Sequence, residues 1–143
     1  MKIIRLIALS GILSMIFLGS CTKNPSGTGV PYVFVDIYVY TTDPVFIDLS
    51  VVGGWTYITG GSRGIILYRT SQNQFMAYDR HTPYQPNESC AVANVDDVNL
   101  VAIDPCSDTQ YSLFDGSVVA GPGILPLQQY QTSFDNDVLH IYN

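Results

Sequence analysis

The sequence predicts an all-β protein, a small antiparallel sandwich or barrel that follows a short export segment. Short runs rich in β-branched and aromatic residues recur between positions 33 and 142, and Gly, Pro, Asn and Asp separate them. No window shows the sustained periodicity of an amphipathic helix. The chain has 143 residues, which is the length of a single domain.

The first twenty residues are predicted to be an export signal that does not belong to the fold. They begin with the basic residues Lys2 and Arg5 and continue as a mostly apolar run to Leu18. A membrane-spanning anchor is the alternative. However, the uncharged run from Leu6 to Leu18 is shorter than the roughly 20 residues that a spanning helix needs. We therefore assign residues 1–20 to a signal peptide.

The end of this run carries a modification motif. Leu18-Gly19-Ser20-Cys21 places two small residues and a cysteine after a branched apolar residue, and it resembles the lipobox of bacterial lipoproteins. The resemblance implies cleavage before Cys21 and attachment of lipid to this cysteine, which would anchor the protein in a membrane. The next residue, Thr22, is not the aspartate that retains some lipoproteins in the inner membrane. We therefore expect a periplasmic or cell-surface lipoprotein, with the outer membrane favoured.

Residues 21–31 are polar and rich in Gly, Pro and Ser, so we expect a flexible tether there and a β domain over residues 32–143. After cleavage the chain would carry four basic residues against twelve acidic ones, a net charge of −8 with neutral histidines. This charge disfavours nucleic acid, which binds basic surfaces, and it disfavours contact of the domain itself with anionic lipid.

The cysteine count predicts a cross-link. If Cys21 carries lipid, Cys90 and Cys106 remain. Two thiols in an exported protein, an oxidising setting, most simply pair with each other. The alternatives are two free thiols or two metal ligands.

The predicted strands follow one another at residues 33–40, 45–52, 55–59, 64–69, 74–79, 100–103, 110–114, 130–134 and 138–142. Two stretches do not fit a simple sandwich. Residues 80–98 contain two prolines, Cys90 and little strand character, and residues 121–126 have the sequence GPGILP. A loop as long as the first stretch is usually functional or derived from a functional loop.

Three segments taken in order carry a family resemblance. They are GIILYRTSQNQFMAYDRHTPY (64–84), DPCSDTQYSLFDGSVVAGPGILPL (104–127) and YQTSFDNDVLHIY (130–142). Together they resemble the Rieske iron–sulfur domain, over roughly residues 45 to 142. In that family a strand enters a first ligand loop and a second ligand loop follows. An acidic-Gly turn, a proline loop and a final hairpin come after them.

The resemblance implies where a [2Fe–2S] cluster would be held, and none of those positions has a cluster ligand. A Rieske cluster needs two thiolates and two imidazoles. The corresponding positions here are Thr82, Tyr84, Asp104 and Ser107. Cys106 matches an additional cysteine that ties the two loops together in one branch of the family, and Cys90 would be its partner. We therefore predict no cofactor and a disulfide between the two loops.

No metal site is predicted in place of the cluster, because Fe–S clusters and zinc prefer thiolate and imidazole over hydroxyl and carboxylate oxygen. His81 is the imidazole nearest to the first loop, and we expect it to be an exposed loop residue. His140 lies between Leu139 and Ile141 and is expected to face solvent.

Other constellations favour structural roles. With only His81 and His140 in the chain, no Ser/His/Asp arrangement can be argued, and we predict no enzymatic activity. Asp96-Asp97 lacks the spacing and closing Glu of an EF-hand and is predicted to be a solvated turn. Asp135-Asn136-Asp137 is predicted to be a hairpin turn, and GGSRG (60–64) a tight turn between strands rather than a phosphate loop.

Three functional hypotheses remain open. The first is a lipid-anchored, cluster-free Rieske-like domain that acts by binding or in an envelope assembly with an unknown protein partner. The second is an electron-transfer protein that holds a [2Fe–2S] cluster through atypical ligands. The third is a β-sandwich that binds a glycan or peptide through its tyrosines and Trp55. Tyr38, Tyr40 and Tyr57 also fit ordinary half-buried strands, however.

Overall fold

The structure, a computed structural model, describes residues 28–143, and within them it confirms an all-β, antiparallel fold. The strands are β1 Asp36–Tyr40, β2 Trp55–Ile58, β3 Ile65–Ser71, β4 Gln74–Asp79, β5 Asn94–Asp96, β6 Val101–Ile103, β7 Gln110–Ser112, β8 Val118–Ala120, β9 Gln129–Asp135 and β10 Val138–Tyr142. A 3₁₀ helix over Pro44–Ser50 lies between β1 and β2.

The strands form two sheets. A six-stranded sheet has the order β1-β10-β9-β4-β3-β2, and a four-stranded sheet has the order β5-β6-β7-β8. Side chains from β1, β10, β9, β4 and β3 meet in one core, so the larger sheet curls into a half-barrel around them. The smaller sheet packs on the other face of β3 and β4, where a second core forms.

The two cores explain the continuous apolar run of β3. Neighbouring residues of a strand point to opposite faces of its sheet. Ile65 and Leu67 accordingly belong to the first core, whereas Ile66 and Tyr68 belong to the second. All four side chains are buried, so β3 is the shared layer between the half-barrel and the smaller sheet.

One predicted strand is wrong. Residues 45–52 were expected to be extended, but Pro44–Ser50 is a 3₁₀ helix interrupted at Phe46. Asp43 caps its first turn by accepting a hydrogen bond from the Val45 N–H (2.9 Å), and Pro44 supplies the φ angle that a first helical turn needs. Only Leu49 of the segment is buried. A strand would instead bury every second side chain against the core.

Two strands were not predicted. β5 lies at the end of the stretch expected to be irregular (80–98), and β8 precedes GPGILP. Each has three residues and adjoins a stretch that reads as irregular, whereas the equally short β6 and β7 lie in the apolar and aromatic runs LVAI and QYSLF.

Two predicted turns are confirmed. Asn136 and Asp137 join β9 to β10 with positive φ angles of 47° and 65°, which two-residue hairpins favour. GGSRG joins β2 to β3, and Gly61 has a φ of +60° there. A Cβ atom at Gly61 would lie 2.5 Å from the carboxylate of Asp79, so both conformation and space require glycine.

The predicted signal peptide, the lipidation site Cys21 and residues 21–27 of the tether lie outside the described residues. Within residues 28–143, no helix is long and apolar enough to cross a membrane.

Candidate functional site

The candidate site is formed by two neighbouring loops. Loop 1, residues 80–93, connects β4 to β5, and loop 2, residues 104–109, connects β6 to β7. A disulfide between Cys90 and Cys106 joins them, with a Cα–Cα distance of 5.4 Å. This distance is usual for a disulfide. The predicted pairing of the two cysteines is therefore confirmed.

A buried carboxylate makes a second connection between the loops. Asp104 of loop 2 is fully buried and accepts hydrogen bonds from the Thr82 hydroxyl of loop 1 (3.1 Å) and the Ser107 hydroxyl (2.8 Å). The backbone N–H of Cys106 donates to its other oxygen (2.9 Å). A buried carboxylate is costly without such partners. The bonds from Cys106 and Ser107 fix the shape of loop 2, and the bond from Thr82 joins loop 2 to loop 1.

Three of the four positions that the resemblance assigns to cluster ligands thus contact one another. Thr82 and Ser107 both donate to Asp104, while Tyr84 is half-buried and makes no hydrogen bond to these three. The groups that could ligate a metal here are hydroxyls and one carboxylate, and the carboxylate oxygens already accept three hydrogen bonds. They do not fit a [2Fe–2S] cluster, which needs thiolate and imidazole. Within residues 28–143, no group of three or more His, Cys, Asp or Glu side chains is placed to hold a metal ion.

The proline loop, residues 121–126, packs against loop 2. The Gly123 N–H donates to the buried Thr109 hydroxyl (3.2 Å), which also bonds Ser107 (2.8 Å). The nearby Tyr111 is buried, and its hydroxyl has no hydrogen-bond partner among the described residues. Burial, reinforced by the charge of Asp104, raises the pKa of Tyr111 to about 12, against a smaller opposing effect of Thr109.

A second buried carboxylate, Asp79 at the end of β4, was not predicted as a structural centre. It accepts hydrogen bonds from the backbone N–H groups of Ser62 (2.6 Å), Arg63 (3.3 Å) and His81 (2.8 Å), and from the Tyr130 hydroxyl (2.7 Å). It therefore ties together the GGSRG turn, loop 1 and β9. Burial, followed by the bond to Asp79, raises the pKa of Tyr130. The only sequence signal for this role of Asp79 is its position directly after the apolar residues of β4.

His81 is not the exposed residue that was expected, since only 4% of its surface is accessible. Its Nε2 lies 2.6 Å from the carbonyl oxygen of Pro86, and its Nδ1 lies 2.8 Å from the Ser62 hydroxyl. A carbonyl oxygen only accepts, so Nε2 of His81 carries a proton and donates it to Pro86. The bond to Ser62 holds loop 1 against the GGSRG turn, and the bond to Pro86 fixes the conformation within loop 1.

Arg63 of the same turn holds the outer part of loop 1. Its guanidinium donates to the carbonyl oxygens of Glu88 (2.6 Å), Ala91 (3.1 Å) and Pro86 (3.4 Å). Arginine carries a planar set of donors, so a single side chain can satisfy several loop carbonyls. Contacts from Arg63, which lies outside loop 1, therefore hold this long loop in place, and the sequence of the loop does not reveal them.

The aromatic residues proposed for ligand binding fall in two places. A groove of about 730 Å³ runs along β2 beside Trp55 and Tyr57, away from the two loops. The indole N–H of Trp55 donates to Asp97 (2.8 Å). The neighbouring Asp96 ends β5, and the predicted turn follows it over the exposed residues 97–100. Hydrogen bonds from Asn99 and then Val98 lower the pKa of Asp96.

The other aromatic group lies on β1 and β10. Tyr38 and Tyr40 were thought to fit half-buried strands, but their side chains are 59% and 60% exposed. His140, expected to face solvent, is half-buried because it stacks on Tyr38 (centroids 4.2 Å apart) and on Tyr142 (4.6 Å). Its Nε2 lies 2.7 Å from the carboxylate of Asp36.

No family model matches the chain, and no curated protein matches it. The Rieske resemblance therefore stays a prediction. It rests on the order of the sequence segments.

Proposed function

We propose that this is a lipid-anchored cell-envelope protein whose Rieske-like β domain has lost its cluster and acts by binding. The topology supports the proposal. Loops 1 and 2, which the resemblance assigns to the ligand loops, follow β4 and β6 and lie side by side. The acidic-Gly turn and the proline loop follow them in the order that the resemblance implies, and the final hairpin of β9 and β10 lies between β1 and β4 in the larger sheet.

The contact of Thr82 and Ser107 with Asp104 is the observation that carries the proposal. A cluster would cross-link two loops through four ligands. Here a hydrogen-bonded carboxylate and a disulfide make the cross-link instead. Because closing two flexible loops costs conformational entropy, a covalent bond between them can offset the loss of a metal centre.

The competing electron-transfer hypothesis has less support. It needs unexpected ligands, and the nearest imidazole is that of His81. Both nitrogens of that ring are engaged, one with Ser62 and one with Pro86. The two described cysteines are bonded to each other, so neither offers a thiolate.

A catalytic role also has little support. On the outer face of the half-barrel, Ser133 of β9 pairs with His140 of β10, and Asp36 contacts the same imidazole. The Ser133 hydroxyl makes no hydrogen bond to that ring. A nucleophile needs its base within hydrogen-bond reach, so we propose a binding protein without enzymatic activity.

An iron assay tests the cluster-free state. The full chain is produced with export in iron-supplemented medium, and its visible spectrum and iron content are measured. We expect a colourless protein with far less than one iron per chain. A brown protein with about two irons per chain would overturn the proposal. The Cys90→Ser/Cys106→Ser variant is the control, since loss of colour in it would identify the cysteines as ligands.

Labelling with palmitate tests the anchor. We expect label on the wild-type protein and on Cys106→Ala, and none on Cys21→Ala. Equal labelling of all three proteins would remove the lipid anchor from the proposal, while the iron assay would still decide the state of the loops.

A further inference from the structure

The outer surface of the half-barrel presents an unusual number of exposed rings. Alternate residues of β1 and its approach point away from the core, and so do those of β10. We call this surface the aromatic face, and its rings are those of Phe34, Tyr38, Tyr40, His140 and Tyr142. Phe34 is 70% exposed, and both tyrosines of β1 are more than half exposed. These side chains add little to either core, so folding alone does not account for them.

The rings at the centre of the aromatic face are held in place. Tyr38 and His140 are parallel to within 2°, and His140 and Tyr142 lie at 23°. Two rings can both stack closely on His140 only from opposite sides, so the three form one continuous stack. The carboxylate of Asp36 bonds the imidazole and limits its rotation. A ligand therefore meets rings that are already ordered, which reduces the entropy lost on binding.

Polar groups border the stack. A depression of about 360 Å³ lies between Tyr38, His140 and the β9–β10 turn, where Ser133, Asp135 and Asn136 contribute a hydroxyl, a carboxylate and an amide. This volume lies within the range of small-ligand pockets. Its lining combines hydrogen-bond donors and acceptors, as a ligand rich in hydroxyl groups requires.

The charge of the aromatic face narrows the class of ligand. The only basic residues of positions 28–143 are three arginines, and each is engaged elsewhere. Arg63 bonds loop 1, Arg69 donates to the Leu49 carbonyl (2.8 Å) and Arg80 donates to the Ala93 carbonyl (2.9 Å). A face with aromatic rings and carboxylates but no lysine or arginine does not suit nucleic acid or another polyanion.

We propose that the aromatic face binds a neutral carbohydrate. The apolar C–H face of a sugar ring would pack on the outer rings of the Tyr38–His140–Tyr142 stack. Its hydroxyl groups would bond Ser133, Asp135 and Asn136. This inference deepens the proposed binding role by naming a ligand class, and it does not depend on the lipid anchor or on the state of loops 1 and 2.

Retention on polysaccharides tests this inference. The purified full chain is incubated with insoluble cellulose, chitin and starch, and with their soluble hexasaccharides for affinity measurement. We expect at least one of these neutral glycans to bind. Removing a stacking ring in Tyr38→Ala or Tyr142→Ala should weaken binding about tenfold. Tyr38→Phe keeps the ring and should bind within about twofold of the wild type.

The matched control is Phe114→Ala, which removes an exposed ring (64% accessible) beside the smaller sheet and should not change binding. Failure of all three glycans to bind would overturn the inference. So would an equal loss of binding in Phe114→Ala and Tyr38→Ala, or binding of polylysine in preference to glycans. Dimerisation through this face, seen as a concentration-dependent mass abolished by Tyr38→Ala, would assign it to a second copy instead. An iron-free protein without glycan binding would leave the cluster proposal intact.

Discussion

The loop end of the molecule buries its polar groups, whereas the aromatic face exposes its rings. The loop end comprises loops 1 and 2 and the GGSRG turn. Its side chains Asp79, Asp104 and His81 are buried and form hydrogen bonds with neighbouring residues. On the aromatic face, Tyr38 and Tyr40 are exposed, and Tyr38 is held by its stack on His140. The loop end therefore stabilises the protein, while the aromatic face remains free to contact a ligand. Substitutions should separate these roles.

The largest effect is expected at Asp79. Asp79→Ala leaves three backbone N–H groups and the Tyr130 hydroxyl without their acceptor, so we expect the free energy of unfolding to fall by about 3–5 kcal/mol. Urea unfolding at pH 7 measures it. Asp135→Ala, on the aromatic face, is the control and should change stability by less than about 0.5 kcal/mol. Equal changes in the two variants would break the contrast between the two regions.

The disulfide should rank next. Cys90→Ala/Cys106→Ala removes a cross-link between residues 16 positions apart, and we expect a loss of about 3 kcal/mol in the free energy of unfolding. Reducing the wild-type protein with dithiothreitol should produce a similar loss, whereas the double variant should not respond to the reductant. A reductant-insensitive wild-type protein would show that the cross-link does not hold the loops.

The hydrogen bond between the loops should have a smaller effect. Thr82→Val removes one donor to Asp104 and should cost about 1 kcal/mol, and Asp104→Ala should cost about 2 kcal/mol. Because the residues interact, the double variant should lose about 1 kcal/mol less than the sum of the two. Strict additivity in a double-mutant cycle would mean that the bond contributes nothing to stability.

Alkaline pH should lower the free energy of unfolding, because Tyr111 is buried. The pKa of Tyr111 is about 12 in the fold, against a usual value of 10.0, because its neutral phenol is buried near Asp104. The unfolded chain therefore releases this proton first, and its stabilising effect, complete below pH 10, is lost as the pH rises to 12. We expect Tyr111→Phe to lose about 1 kcal/mol less stability than the wild type between pH 9 and pH 11. Tyr142→Phe, an exposed control, should lose as much as the wild type.

The smallest effect on stability is expected on the aromatic face itself. Tyr38→Ala removes one cross-strand stack on His140, so the free energy of unfolding should fall by less than about 1 kcal/mol. Thermal and urea unfolding measure the change. A loss as large as that of the disulfide variant would make the stack a structural element and would weaken its assignment as a binding surface.

Local patterns predicted much of the fold. β-branched and aromatic runs located eight of the ten described strands, and Asn and Asp identified the β9–β10 turn. Such signals depend on neighbouring residues, so they are visible in the sequence. The 3₁₀ helix at Pro44–Ser50 was missed because its apolar residues resemble a strand. Only the burial of Leu49 and the cap at Asp43 distinguish the two conformations.

The candidate site was predicted in part. The pairing of Cys90 with Cys106 followed from a cysteine count and is confirmed. Contacts made at long separation were missed: Asp79 meets Tyr130, and Arg63 meets the carbonyls of loop 1. His81 was expected to be exposed, because a histidine in a polar loop carries no sign of the partners that bury it.

The sequence alone determined the β class of the domain, its strand-forming runs and the thiol pair that joins its loops, because propensity and composition are properties of short segments. Tertiary structure decided which polar groups are satisfied and which rings are exposed. The reason is physical: a side chain is buried or bonded by residues that the fold brings to it. The residues next to Asp104 do not indicate that it is buried between loops, and those next to Tyr38 do not indicate that it is exposed.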